Sequence, residues 1–470
     1  MSDVEHHGMK KLEGIGRFYH HHDHTAGGQR DDRFGRMFPN LPAAYVPAHI
    51  LSDIGKSKGP MDGKSLNDRT DSVAAGVIFF GQFVDHDITL DTTTTFDSVI
   101  DQPGEIANVR TPVLDLDCIY GSGPEAQPYM YDQAGASAGA KLLTGADNPG
   151  QGGQFAEDLL RGPNGRAMIG DPRNDENRVV SQLQLAIIRF HNHVCDTLHA
   201  EEGYAGSELY EHARRVCTWH YQWAVVNDLL TAVCGKPVVD RILGSGRKHY
   251  RPDVPYIPVE FSVAAYRFGH SMIPMKVQVQ QGASDLELFG PTLGRGFAPL
   301  SNPAGIVDWD ELIDTPAAHS VARAQKLDTK LAGDLLKLPF VTTGEASLAT
   351  RNLLRGNAFK LPGGEQVAEA MACDPAQIEK VTKKVATLSP KLSEYGIPLW
   401  LYILAEAEVI GRAEPDGSTK EGEGLGPVGA TIVAETIIGL LELDDTSFLG
   451  ANRNWGPREE WNTLGKICTV

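Results

Sequence analysis

A cluster of polar side chains interrupts an apolar stretch at residues 81–90, GQFVDHDITL. Gln82, Asp85, His86 and Asp87 lie within six residues, and Gln82 and His86 share a face if the stretch is helical. A single histidine among apolar neighbours is usually a satisfied core residue. Burying four polar groups without partners would cost on the order of several kcal/mol. The stretch therefore predicts either a buried polar network or a large polar ligand beside the helix.

Two further segments carry residues that could do chemistry. In GDPRNDEN at 170–177, Arg173 and Glu176 are three residues apart near a predicted helix start, where an intrahelical ion pair is the plainer interpretation. In YRFGHSMIP at 266–274, His270 follows Gly269 on an apolar helical stretch. A histidine in this position can serve as an axial metal ligand, because the glycine leaves room for a flat group.

Oxygen-bearing side chains alternate in RTPVLDLDCIYGSG at 110–123. Thr111, Asp115 and Asp117 could supply side-chain oxygens and Val113 a carbonyl, and Ca²⁺ takes about six to eight oxygen ligands. The spacing is not that of an EF-hand. A calcium site here would need another carboxylate from elsewhere, for which Asp87 is a candidate.

Two other motifs favour plainer interpretations. HHHDH at 20–24 could bind a metal, but a solvated polar stretch explains it better. GLGPVG at 424–429 fits the glycine pattern of a dinucleotide-binding turn, yet no strand precedes it and Pro427 lies inside it. We interpret GLGPVG as the N-terminal turn of a helix.

Helical patterns dominate the chain from about residue 72. Asp171-Pro172 is typical of a helix start, and the apolar spacing from Val179 to Leu198 predicts one long amphipathic helix. Further helices are predicted at 206–234, 392–411 and 428–443, and long Gly-rich loops at 136–170 and 278–310. The expected fold is mainly α, with one large helical domain at 31–470, long irregular loops, little β structure and a polar N-terminal arm at 1–30.

Composition argues against several classes of partner. The 470 residues include 61 acidic and 43 basic side chains, for a net charge of −18, which disfavours nucleic acid and anionic membranes. Six scattered cysteines predict reduced thiols in a cytosolic protein. The N-terminus lacks an apolar signal region, and no apolar run is long enough to span a membrane. We therefore expect a cytoplasmic protein, or one exported by a non-classical route, and a single domain of this size can stand as a monomer.

Taken in order, these segments resemble the animal-type haem peroxidase family of the peroxidase–cyclooxygenase superfamily. The resemblance covers roughly residues 30 to 450 and extends through NLLRGNAFKLP at 352–362, IPLWLYILAEAE at 397–408 and GLGPVGATIVAETIIGLL at 424–441. It implies a single haem-peroxidase domain. Together with the compact size and the missing signal peptide, it suggests a bacterial member.

The resemblance also implies a role for each residue singled out above. His86 would be the distal histidine, with Gln82 beside it and Arg173 as the distal arginine. His270 would bind the iron of haem b, with Arg267 near the haem edge. Asp85 and Glu176 match two carboxylates that form ester bonds to haem methyl groups. The implied calcium ligands are Asp87, Thr111, Val113, Asp115 and Asp117.

These residue types suit the chemistry of peroxide cleavage. A neutral imidazole can take a proton from peroxide and return it to the leaving oxygen. A fixed guanidinium stabilises the charge that builds as the O–O bond breaks. The resemblance implies an oxidised ferryl haem that then takes electrons from small donors such as iodide, bromide, thiocyanate or phenols.

Two departures from the family pattern affect these expectations. Asn177 follows Glu176, where a mammalian member carries a methionine that links to haem, so we expect weaker oxidation of chloride. The run LPGGEQ at 361–366 places Glu365 or Gln366 where the partner of the proximal histidine is expected. A carboxylate partner would make the imidazole more anionic and lower the haem potential.

Two alternatives to a peroxidase stay open at this stage. A cyclooxygenase-like fatty-acid dioxygenase would need a tyrosine three residues before His270, and Arg267 stands there. A non-enzymatic helical binding protein with a calcium-stabilised loop would be colourless when purified.

Overall fold

The computed structural model describes residues 34–65, 68–90, 103, 108, 110–147, 156–315 and 320–470. The HHHDH motif and the predicted N-terminal arm at 1–30 lie outside these ranges. About half of the chain is helical and the strands are few and short, so the prediction of a mainly α fold is confirmed. None of the helices in the described ranges is both long and apolar enough to cross a membrane.

Ten helices of seven or more residues form the body of the described chain. They are α1 (Ala48–Gly55), α2 (Ala75–Ile88), α3 (Arg178–Glu202), α4 (Gly206–Ala224), α5 (Lys236–Ser245), α6 (Leu348–Ala358), α7 (Gly364–Ala370), α8 (Pro375–Leu388), α9 (Leu399–Val409) and α10 (Pro427–Leu443). Shorter α-helical turns lie at Asp117–Tyr120, Gly123–Ala126, Thr231–Cys234, Gly269–Met272, Leu392–Tyr395, Phe448–Ala451 and Leu464–Cys468. The turns at Val225–Leu230 and Glu260–Ala264 are π-helical.

The strands in the described ranges pair into two-stranded sheets. They are β1 (Phe34–Gly35), β2 (Arg69–Ala74), β3 (Ile257–Pro258), β4 (Lys276–Val277), β5 (Leu286–Glu287), β6 (Arg323–Gln325), β7 (Arg412–Ala413) and β8 (Thr419–Lys420). β1 pairs with β3 in parallel, while β2–β6, β4–β5 and β7–β8 are antiparallel. These short sheets tie loops to the helical body.

The predicted helices differ from the observed ones mainly at their starts and breaks. Asp171 caps a separate 3-10 turn, Pro172–Asp175, and the long helix α3 begins only at Arg178. The side chain of Asn177 provides the new cap by accepting from the backbone N–H of Val180 at 3.0 Å. The helix predicted over 392–411 is interrupted at Gly396, whose φ of 87° is left-handed.

The GLGPVG motif is the N-terminus of α10, as its plainer interpretation predicted. Pro427 is the first helical residue, and the buried carboxyl group of Glu406 accepts from the backbone N–H groups of Val428 at 3.0 Å and Gly429 at 3.3 Å. A side chain at Gly426 would collide with Glu406. Because an acidic side chain of the protein already caps this helix, no dinucleotide phosphate fits there.

Helix α2 lies in the core and carries the polar cluster noted in the sequence. It packs against α3 and against the π-helical turn that follows α4. Its aromatic side chains Phe80 and Phe83 both meet the ring of Tyr221 edge-on, at centroid distances of 5.8 and 6.1 Å. This packing orients the remaining face of α2 towards a cavity.

Candidate active site

A cavity of about 460 Å³ opens beside α2. Its size falls within the roughly 300–1,000 Å³ of typical cofactor and ligand sites. One wall is α2, and a second wall combines α6 with the segment from Tyr266 to His270. The lining includes Gly81, Gln82, Asp85, His86, Glu176, Asn177, Tyr266, Arg267, Gly269, His270, Arg351, Asn352 and Arg355. The cavity therefore brings together residues from three of the sequence segments that could do chemistry.

The four polar residues of α2 divide between two environments. Gln82, Asp85 and His86 line the cavity. Asp87 points elsewhere, because its carboxylate accepts from the hydroxyl of Tyr221 at 3.1 Å and from the backbone of Leu116 at 3.3 Å. The other side chains of α2 are buried in the core, which explains why the helix is mostly apolar. Its polar residues lie at two different sites.

His86 is 6% exposed, and its Nδ1 lies 2.7 Å from the side-chain oxygen of Asn174. Burial, and then the positive charge of Arg173, lower the pKa of His86 to about 4. The imidazole is therefore neutral at pH 7. A neutral ring with one engaged nitrogen is the form that can accept a proton.

Arg173 contacts the backbone of His86 and does not line the cavity. Its guanidinium donates to the carboxylate of Asp171 at 2.8 Å and to the backbone carbonyl of His86 at 2.9 Å. Burial alone would raise the pKa of Asp171, but Arg173 and Arg110 outweigh it and hold the pKa at about 2. Arg173 does not belong to the described cavity wall, and its ion pair is with Asp171 instead of the expected Glu176.

Glu176 and Gln82 contact each other at the cavity wall, where the amide of Gln82 donates to the Glu176 carboxylate. Burial raises the pKa of Glu176 to about 7. Asp85 lies on the same wall and accepts from the hydroxyl of Thr89 at 3.0 Å. Two carboxyl groups, both singled out from the sequence, thus face one cavity.

A buried ion cluster fixes the turn that carries Arg173, Asn174 and Glu176. Arg161 donates to Asp158 at 2.7 Å and to Asp175 at 2.8 Å, and all three side chains are at least 96% buried. Such a cluster tolerates little displacement, since moving one member leaves an uncompensated buried charge. The turn therefore holds its side chains in fixed positions relative to α2.

His270 lies on the second wall, on the turn Gly269–Met272. Its Nδ1 is 2.8 Å from the side-chain nitrogen of Asn352, and the oxygen of that amide accepts from Arg267 at 3.2 Å. Burial, followed by Arg267, lowers the pKa of His270 to about 3. A side chain at Gly269 would touch only Ile78, at 3.7 Å, so the backbone lies open to the cavity there.

The expectation that Glu365 or Gln366 would be the partner of His270 is wrong. Glu365 accepts from the backbone of Ile397 at 3.1 Å, and Gln366 accepts from the backbone of Gly363 at 3.2 Å, both at the start of α7. Asn352 is the partner of His270 because it lies on α6, which passes close to His270. One signal was visible in NLLR, where Asn352 and Arg355 are three apart and share a helix face.

A second cluster lies on the other side of α2. Carboxylate oxygens of Asp87, Asp115 and Asp117 all lie within 4.8 Å of one another. Among the described residues, no hydrogen-bond partner contacts the buried oxygens Asp87 Oδ1, Thr111 Oγ1 and Asp117 Oδ1. The backbone of Leu116, with φ of 59°, turns sharply between the two loop aspartates, and Val113 is buried in the same loop. Crowded carboxylates with orphaned oxygens fit a hard cation such as Ca²⁺.

Comparison with known proteins decides the family. The model of the animal haem peroxidase family matches residues 94–388, more than half of the chain. The chain belongs to the animal haem peroxidase family. The matched region contains Arg173, His270 and Asn352, while Gln82 and His86 lie shortly before it.

Relatives of the chain include two peroxidases. Over 190 residues the chain is 30% identical to chorion peroxidase of Drosophila melanogaster, which covers 36% of this chain and 22% of that protein. Over 332 residues it is 26% identical to thyroid peroxidase of Canis lupus familiaris, covering 65% of this chain and 35% of that protein. The matches therefore span only about a fifth to a third of these relatives.

Solved structures with a similar fold cover almost the whole chain. Peroxidase A from Dictyostelium discoideum has a TM-score of 0.62 at 16% identity, covering 93% of this chain and 94% of that one. A fatty acid alpha-dioxygenase from Arabidopsis thaliana has a TM-score of 0.56 at 16% identity, covering 91% and 74%. At these identities the likeness concerns the fold alone.

The family implies haem, and the cavity residues of this peroxidase family member fit that group. His86 and His270 both line the cavity; Nδ1 of His86 lies against the side-chain oxygen of Asn174, and Nδ1 of His270 lies against the side-chain nitrogen of Asn352. Gly81 and Gly269 also line the cavity and add no side chain to it. Arginine side chains on the lining supply positive charge for carboxylates of a cofactor.

Proposed function

We propose that this chain is a haem peroxidase that reduces hydrogen peroxide and oxidises small donors: iodide, bromide, thiocyanate or phenols. One observation carries the proposal. A buried, neutral histidine, His86, and a second histidine, His270, line the same cofactor-sized cavity. In this proposal one histidine binds a metal and the other moves a proton, the two roles that peroxide cleavage needs.

The cofactor would be held by residues of both walls. We assign His270 as the iron ligand, Arg267 as a contact of the haem edge, and Asp85 and Glu176 as the carboxylates that form ester bonds to it. Bound haem would supply an iron centre that binds peroxide and takes up its two oxidising equivalents.

His86 would carry the proton. Its neutral imidazole accepts a proton from one oxygen of hydrogen peroxide and returns it to the other oxygen, which leaves as water. Two electrons and two further protons from donors and solvent complete the reduction to a second water. Arg173 lies against the His86 carbonyl, so we expect it to act chiefly through its charge.

Ca²⁺ would complete the second cluster. We assign Asp87, Thr111, Val113, Asp115 and Asp117 as its ligands. Because Asp87 follows His86 on α2, a cation held there would fix the end of the helix that carries the proton-transfer group. The cation thus has a positioning role, with no part in the reaction itself.

The test is haem loading followed by peroxide. Purified protein should show the intense haem absorption band, and peroxide should change that spectrum until a donor restores it. His86→Ala should keep the haem but slow the reaction with peroxide by about 10²–10⁴-fold, the usual contribution of a general acid–base group. His193→Ala, an exposed histidine of α3, is the matched control and should change nothing. A protein that takes up no haem, or a fully reactive His86→Ala, would contradict the proposal.

A separate test addresses the ester bonds. Acidified organic solvent should leave haem attached to the wild-type protein and extract it from the double variant Asp85→Val, Glu176→Gln. Complete extraction from the wild type would mean that these carboxylates do not bind haem covalently.

The alternative activity is fatty-acid oxygenation, because one protein of similar fold is a fatty acid alpha-dioxygenase. Tyr266 does line the cavity, but its hydroxyl donates to the backbone carbonyl of Gly81 at 3.1 Å, and Arg267 occupies the position where that chemistry needs tyrosine. We expect no oxygen uptake with palmitate. Uptake at a rate above that of iodide or phenol oxidation would favour the dioxygenase.

A further inference from the structure

Nδ1 of His86 begins a line of hydrogen bonds through two buried amide side chains, Asn174 and Gln184. Neither side chain lines the cavity. His86 Nδ1 is 2.7 Å from Asn174 Oδ1, and Asn174 Nδ2 donates to Gln184 Oε1 at 2.8 Å. Gln184 Nε2 then donates to the backbone carbonyl of Cys118 at 3.1 Å. Asn174 and Gln184 are both 0% exposed, so solvent does not compete for these hydrogen bonds.

The line of hydrogen bonds can run in only one direction. A backbone carbonyl only accepts, so Gln184 must turn its NH₂ group towards Cys118 and its oxygen towards Asn174. Asn174 must then present its NH₂ group to Gln184 and its oxygen to His86. Since that oxygen also only accepts, Nδ1 of His86 must carry the hydrogen.

This arrangement selects one of the two neutral forms of the imidazole. With its hydrogen on Nδ1, His86 keeps a basic lone pair on Nε2, the nitrogen left for the cavity. We propose that Asn174 and Gln184 are positioning residues that hold His86 in the form with a basic Nε2. The inference rests on the proposed peroxidase function, in which His86 begins by accepting a proton.

The line of hydrogen bonds ends at a backbone carbonyl that also holds Asp171, the ion-pair partner of Arg173. The Cys118 carbonyl that receives Gln184 also accepts from the backbone N–H of Asp171 at 3.2 Å. Asp171 in turn holds the guanidinium of Arg173. One backbone carbonyl therefore sets both the proton form of His86 and the placement of the charge beside it.

A purely structural role makes a different prediction. Asn174 and Gln184 would then only satisfy each other in the core, and their loss would lower stability without changing proton transfer at His86. The two roles separate if proton acceptance is measured apart from turnover and alongside the unfolding midpoint.

Hydrogen cyanide is the probe, because it must give up its proton as it binds ferric haem. Its association rate, followed by the shift of the haem absorption band, thus reports the proton acceptor. Asn174→Leu should bind cyanide about 10–100-fold more slowly than wild type, the usual effect of losing a group that orients a site residue. Asn174→Asp keeps an acceptor for Nδ1–H and should stay close to the wild-type rate.

Two further variants distinguish slower cyanide binding from a loss of folding stability. Asn174→Leu combined with Gln184→Leu removes both partners of the bond between these two amides, so neither amide is left buried without the other, and should bind cyanide as slowly as Asn174→Leu. Gln182→Leu, also on α3, loses buried hydrogen bonds to the backbones of Glu157 and Val307 and should lower stability but leave the cyanide rate unchanged.

The outcomes distinguish this inference from the proposed function. If His86→Ala binds cyanide slowly but Asn174→Leu binds it at the wild-type rate, the positioning role is overturned while the peroxidase assignment stands. Equal loss in Asn174→Asp and Asn174→Leu would also overturn it, because the acceptor oxygen would not be what matters. If wild type and His86→Ala bind cyanide equally, the proposed role of His86 itself fails.

Discussion

Removing Ca²⁺ from the proposed site should destabilise this protein by several kcal/mol, because the cluster of Asp87, Asp115 and Asp117 carries repulsion that a cation would relieve. Two unit charges within 4.8 Å of each other repel by at least about 3.5 kcal/mol at an effective dielectric constant of about 20. Arg110 offsets part of this through its contact with Asp117 at 3.1 Å. Without a cation, the folded chain must accept the remaining repulsion or bind protons instead.

The assay compares denaturation curves in excess Ca²⁺, in Mg²⁺ and in a chelator. A ligand that binds only the folded state at 1,000 times its Kd stabilises it by about 4 kcal/mol, so chelation should move the midpoint visibly. Mg²⁺ should replace Ca²⁺ poorly, because it demands a more regular octahedral shell.

One variant tests whether the Ca²⁺-dependent stability arises at the cluster of Asp87, Asp115 and Asp117. Asp117→Asn removes one charge and one ligand, so the gap between the Ca²⁺ and chelator curves should shrink while the calcium-free form loses no stability. Asp416→Asn, an exposed aspartate on a loop, is the control and should keep the full gap. Identical curves for the wild type in Ca²⁺ and chelator would refute the reasoning.

Three other perturbations test separate parts of the structure. Burial raises the pKa of Glu406 to about 8 from its ordinary 4.5, so the folded chain holds a proton that the unfolded chain releases. Stability should therefore fall between about pH 4.5 and 8, by at most roughly 5 kcal/mol from this group, and Glu406→Gln should flatten the decline in urea denaturation. Arg161→Leu strands two buried aspartates and should cost about 3–5 kcal/mol; an unchanged urea midpoint would show that the ion cluster does not hold its turn. Asn352→Leu should weaken haem binding by about 10–100-fold through the lost contact with His270, which a haem titration measures, and an unaltered affinity would rule Asn352 out as its support.

Local patterns in the sequence indicate much of the site. The mainly α fold follows from helical spacing over long stretches, and the motifs GQFVDHD and YRFGH mark the two walls of the cavity. Short-range geometry is sufficient here, because residues three or four apart on a helix share a face whatever the helix packs against. The same helix geometry directs the side chains of His86 and its neighbour Asp87 to different sides of α2.

Partner choice required the tertiary structure. His270 meets Asn352, 82 residues away, although Glu365 or Gln366 was expected there, and His86 meets Asn174, 88 residues away. Arg173 turned to Asp171 and the His86 carbonyl instead of the cavity wall. A hydrogen bond depends on angles and on distances near 3 Å, which are set by where helices cross.

The sequence by itself therefore determined which residue types were available for proton transfer, metal binding and charge, because composition and helical period are local properties. The tertiary structure alone decided which of them are joined, in which direction the amides of Asn174 and Gln184 point, and which nitrogen of His86 is left for the cavity. Those are properties of packed elements, since a buried donor or acceptor must find its partner among whatever the fold brings within reach.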